Sequence, residues 1–79
     1  MSEEKIVSIF RIINDAMHSW MVQNQSKASS VSVGVNMYQQ ITIHIVSKVL
    51  TLNDVLNTDL PRDVLGYADM IILTVSKTF

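Results

Sequence analysis

Apolar side chains recur along the first third of the chain at Ile6, Ile9/Phe10, Ile13, Ala16/Met17 and Trp20/Met21. Steps of three and four residues are the period of an α-helix with one buried face. Val7 and Ile12 widen the stripe, and Arg11, Asn14, Asp15 and His18 occupy the opposite side. Ser2 suits the N-cap, and Glu3 and Glu4 bring negative charge to the positive end of the helix dipole. Asn24, Ser26, Ser29 and Ser30 are weak helix formers. The pattern therefore predicts a helix over about residues 3–24, followed by a polar linker.

The period then changes to two. Ser30–Met37 and Ile41–Ser47 both alternate apolar with polar residues, and Tyr38-Gln39-Gln40 separates them. Two strands joined as a hairpin are the expected result. A two-residue loop pairs Val35 with Thr42 and Val33 with His44. A three-residue loop pairs Met37 with Ile41, Val35 with Ile43 and Val33 with Ile45. Only the second brings like residues together on one face, so an odd-length connection is expected. A turn at Gly34-Val35-Asn36, giving a shorter hairpin, is the alternative. The first face packs on the helix. The second carries Ser32, Gly34, Asn36, Thr42, His44 and Val46 and is polar enough to meet solvent.

Thr51–Asn57 and Asp59–Gly66 read as short helices or 3₁₀ turns. Thr51 can cap the first, with Asp54 at its third position, and Pro61 and Gly66 suit the start and stop of the second. Met70–Ser76 reads as a third strand, with Ile71, Leu73 and Val75 toward the helix and Met70, Ile72, Thr74 and Ser76 away from it. Both sides begin apolar, so this strand is expected to be more buried than the hairpin. The fold class that follows is α+β in two layers. One long N-terminal helix packs on a three-stranded, mainly antiparallel sheet, with short helical turns before the last strand.

Composition adds an expectation of assembly. The chain has 79 residues, enough for one domain over 1–79. Of these, 48% are apolar and 16% charged, more apolar surface than so small a core absorbs. A homodimer through the outer sheet face or a sheet edge is the expected outlet, because two-fold pairs are the commonest oligomers. Net charge is −1, and the six basic residues, Lys5, Arg11, Lys27, Lys48, Arg62 and Lys77, are scattered. That disfavours a nucleic-acid partner. The chain has no cysteine, its start is acidic, and no apolar run approaches the roughly 20 residues of a membrane span. A soluble, cytoplasmic protein without membrane contact is expected.

Candidate chemistry is sparse. His18 lies three residues after Asp15, but nothing near it supplies a nucleophile or a third orienting group. His44 lacks the companions of a metal ligand. Asp54, Asp59, Asp63 and Asp69 each suit a helix end or a turn. Gly34 and Gly66 are the only glycines, which excludes a dinucleotide fingerprint or a Walker loop. No catalytic, cofactor-binding or metal-binding residue is assigned, and no cofactor is expected. The leading expectation is a small non-enzymatic interaction, inhibitor or accessory protein that acts as a homodimer on an unidentified protein partner. Tyr38 at the hairpin tip, among Asn36, Gln39 and Gln40, is the expected partner-binding site, with Thr42 and His44 on the adjoining sheet face. One alternative is a nucleic-acid-binding regulatory module in which Lys27, Lys48 or Arg62 of two subunits converge. The other is a small enzyme whose His18 or His44 meets a carboxylate across a subunit interface.

Overall fold

The first helix forms where the stripe predicts it. The computed structural model describes residues 3–58 and 60–77, and α1 spans Glu3–Gln23. Its expected cap, Ser2, lies outside the described residues, as does Asp59. Ile6, Ile9, Ile13, Met17 and Trp20 are buried, whereas Phe10 is half-buried at the margin of the stripe. Asn24 ends the helix, its side-chain Nδ2 donating to the Trp20 carbonyl at 2.8 Å. The Asn24 carbonyl accepts from the Lys27 and Ala28 amides, both at 2.9 Å, and turns the chain into the sheet.

Strands β1 (Ala28–Val35) and β2 (Ile41–Ser47) form the antiparallel hairpin. β1 starts two residues earlier than the alternation suggests. A bulge between Ala28 and Ser30 shifts the parity there, so Ala28 faces the core opposite Ser47. Val31 pairs with Ile45, Val33 with Ile43 and Val35 with Ile41. The faces are those expected, but the register is displaced by two residues because the loop runs over 36–40. Met37, placed by the alternation on the core face, stands in that loop and is 86% exposed.

Residues 48–70 cross over the same side of the sheet as α1. Here lie α2 (Leu52–Leu56), α3 (Arg62–Gly66) and a 3₁₀ turn at Ala68–Met70. Pro61 caps α3 rather than opening it. Met70 belongs to the 3₁₀ turn and packs on the core, not on the outer face. Strand β3 (Ile71–Lys77) then joins β2 in parallel, Ile41 beside Ile71 through Ser47 beside Lys77. The sheet is mixed, in the order β1-β2-β3. A long helical connection returns the chain to the starting end of β2, which is what parallel pairing requires. β2 is therefore central, with Ile41, Ile43 and Ile45 buried. β3 is an edge strand that is only partly covered, against the expectation that it would be the more buried one.

The core is one layer of side chains between helices and sheet. The α1 stripe meets the β2 isoleucines, closed by Ala28, Val55, Leu60 and Val64. Ser47, also fully buried, ties three segments together. Its hydroxyl donates to the Lys27 carbonyl at 2.6 Å and accepts from the Leu50 amide at 2.9 Å and the Val49 amide at 3.2 Å.

The start of α2 is a reciprocal capping box. The Asp54 amide donates to Thr51 Oγ1, and the Asp54 carboxylate accepts from the Thr51 amide at 2.8 Å and from its hydroxyl at 3.0 Å. These bonds, the backbone one first, hold the Asp54 carboxyl below its ordinary value of 3.8. A folded-state pKa lowered in this way stabilises the fold above the unfolded value and is lost as pH falls through the depressed one. Wild type and Asp54→Asn should accordingly differ in thermal midpoint at neutral pH and converge only below about pH 4. A gap that persists unchanged in acid removes the carboxylate from this account.

Candidate functional site

The hairpin tip is built around one side chain. Asn36 Oδ1 accepts from the Tyr38 and Gln40 amides, each at 3.0 Å, and Asn36 Nδ2 donates to Gln40 Oε1 at 3.1 Å. The Asn36 amide donates to the Gln40 carbonyl at 3.0 Å, and the Gln39 amide to the Asn36 carbonyl at 3.1 Å. An Asx turn of this kind does locally what a glycine-based hairpin turn does by conformational freedom. Gln39 takes the one left-handed position, at φ 58°, without a glycine.

This arrangement divides the expected site residues into two roles. Asn36 and Gln40 are half-buried and bonded to the loop itself, so they hold the tip instead of meeting a partner. Tyr38, 76% exposed, and Gln39 point outward. Val35 and Met37, 45% and 86% exposed, extend the apolar surface beside Tyr38. The alternation places both on the core face and so singles out neither. The signal for Met37 is the Asn36 side chain, an Asx-turn residue that can end β1 before it.

Thr42 and His44 lie on the sheet face away from the helices. Gly34 stands opposite Thr42, and a Cβ there would come within 3.3 Å of Thr42 Oγ1, so the glycine makes room for the hydroxyl. His44 is exposed, and its Nε2 shares a hydrogen bond with Ser76 Oγ on the neighbouring strand. The open face is thus uncharged along Ser32, Thr42, Thr74 and Ser76, with His44 at its centre.

His18 points into solvent on α1, where its Nδ1 donates to the Asn14 carbonyl one turn back at 2.7 Å. Among the described residues no group of three histidines or carboxylates is placed to hold a metal ion. A polar cleft of about 380 Å³ lies between the end of α1 and the end of α2, lined by Gln23, Asn24, Lys27, Asn57 and Thr58. Among the described residues that line it, the one hydroxyl, on Thr58, donates to the Val55 carbonyl at 2.7 Å, and none is an imidazole or a carboxylate. No described helix is long and apolar enough to cross a membrane. Topology also brings Lys27, Lys48 and Lys77 to the sheet end opposite the tip, because β1 starts where β2 and β3 finish. Comparison with known protein families, curated proteins and solved structures finds no match to this chain.

Proposed function

We propose that this protein is a small non-enzymatic interaction module that acts as a homodimer and presents its hairpin tip to a protein partner in the cytoplasm. The observation that supports this most is the tip itself. Asn36 spends its polar atoms on the loop backbone and Gln40, while Met37 and Tyr38 extend into solvent. A loop held in one shape loses little entropy on binding, so an exposed tyrosine on it can serve as an anchor. The reading needs no cofactor, and a chain without cysteine suits a reducing compartment.

The test is Tyr38→Ala, assayed for capture of partner from the native host and for thermal midpoint. The expected loss is about 2 kcal/mol or more of binding, roughly 30-fold in affinity. The midpoint should hardly change, since the ring is 76% exposed. Asn36→Ala should weaken capture as well, by freeing the loop while leaving the ring in place. Undiminished capture by both variants refutes the assignment.

A second reading, binding to nucleic acid, draws on the three lysines at the opposite end of the sheet. A net charge of −1 works against it. Titration of duplex DNA at low and at physiological salt separates the two, and the expected result is no salt-dependent complex.

A further inference from the structure

We infer that the outer edge of β3 is a self-association surface, where a second copy pairs β3 to β3, antiparallel, with Thr74 on the two-fold axis. The result is a continuous six-stranded sheet. This specifies the self-association contained in the reading above and does not depend on what the hairpin tip binds.

The two edges of the sheet are unequal. β1 carries a bulge between Ala28 and Ser30, three serines and a glycine, features that discourage further pairing. β3 has no bulge, no glycine and a single serine, Ser76. Ile71-Ile72-Leu73-Thr74-Val75-Ser76 is uncharged, lacks proline and keeps an unbroken register with β2 from Ile71 to Lys77. Among the described residues, the Ile71 amide donates to the Ala68 carbonyl of the 3₁₀ turn, and no backbone hydrogen bond outside the sheet ladder reaches residues 72–77. An edge of that length, apolar at Ile71, Ile72, Leu73 and Val75 and charged only at its last residue, Lys77, is a template for another strand.

Apolar surface flanks this edge on both sides. On the helical side a groove of about 170 Å³ lies between α2, α3 and β3, lined by Leu56, Val64, Leu65, Ile71 and Leu73 among others. Leu56 and Leu65 remain 55% and 60% exposed there. On the open side Ile72 is 42% exposed. A stable pair needs about 800 Å² from each partner, roughly 15% of the 5344 Å² this chain exposes. The seven-residue edge supplies part of that area, and the flanking leucines extend it.

The occupant is a second copy because the strand is complementary to itself. A two-fold axis normal to the sheet pairs residues of the same face. All of β3 is used only when Thr74 meets its own counterpart. Leu73 then lies beside Val75 of the second copy on the helical side, and Ile72 beside Ser76 on the open side. Lys77 lies beside Ile71, its aliphatic stem along the groove. The two Lys77 charges end about 20 Å apart, at opposite ends of the pair, beyond the screening length at physiological salt.

The chain has no cysteine, so a single thiol reports the contact. Thr74 is exposed, and Thr74→Cys should form a disulfide-linked dimer under mild oxidation, whereas Ser32→Cys on the β1 edge should not. Wild type should sediment at micromolar concentration at about twice 8.9 kDa. Thr74→Lys should sediment near 8.9 kDa with its circular dichroism retained, since it sets two ammonium groups side by side on the axis. Amide exchange over 71–77 should slow as concentration rises, and exchange over 28–35 should not. A wild type that stays near 8.9 kDa overturns this inference and the homodimer together, and leaves the tip to be judged by Tyr38→Ala. A dimer that survives Thr74→Lys, or that links through Ser32→Cys, overturns the β3 edge alone. Thr74→Cys linkage without slowed exchange in β3 means that the open faces stack, and also overturns it.

Discussion

Ile13→Asp should abolish cooperative unfolding, while Ile12→Asp, one residue away, leaves it intact. Ile13 is fully buried at the middle of the α1 stripe, and Ile12 is 40% exposed. Removing a buried isoleucine side chain costs about 2–5 kcal/mol. The carboxylate adds to that, because it must either sit unpaired in an apolar layer or take up a proton well above its ordinary pKa. At about 0.05–0.15 kcal/mol per residue, a chain this size has roughly 4–12 kcal/mol of stability to lose. The combined penalty takes most or all of it. At position 12 the charge keeps its hydration, and the cost should stay within about 1 kcal/mol. Thermal melts followed by circular dichroism decide the matter. A cooperative transition for Ile13→Asp near the wild-type midpoint contradicts the placement of α1 on the sheet.

Ser47→Ala is expected to lower stability by about 2–4 kcal/mol, a large effect for one hydroxyl. Ser47 is fully buried, and its Oγ serves the Lys27 carbonyl and the Val49 and Leu50 amides. Alanine fits the space but leaves all three backbone groups without this partner, and a buried orphan group costs about 1–3 kcal/mol. For a chain of this size the thermal midpoint should fall by about 10 °C or more. Ser32→Ala, on the exposed open face, should shift it by no more than the ordinary surface change. Equal midpoints for the two variants contradict the role given to Ser47.

Ser47 also marks a limit of pattern reading. In the sequence its parity is that of Ile41, Ile43 and Ile45, the core face, while its hydroxyl and its place at the strand end favour solvent. Its burial follows from two segments distant in sequence, the turn at Lys27 and the connection at Leu50, arriving at one point. The hairpin tip is a mixed case. Tyr38 and Gln39 are exposed as their place in the loop suggests. Asn36 and Gln40 look equally available in the sequence, yet their polar groups are engaged in closing the loop. Met37 lies just past the end of β1, and simple alternation carried it inward.

The sequence by itself determined the elements and their faces. Ile6, Ile9, Ile13, Met17 and Trp20 specify one side of α1, and Ile41, Ile43 and Ile45 specify one side of β2, since a buried face must repeat with the period of its own backbone. Thr51 and Asp54 likewise announce the start of α2 through contacts three residues apart. Tertiary structure alone decided the rest: that β2 is central, that β3 runs parallel to it, and that β3 is left with a free edge. Face parity is the same for either strand direction and for a register displaced by two residues. The choice among these rests on the bulge at Ala28, the Asn36 loop and the path of residues 48–70 over the sheet, each of which depends on groups brought together only by folding.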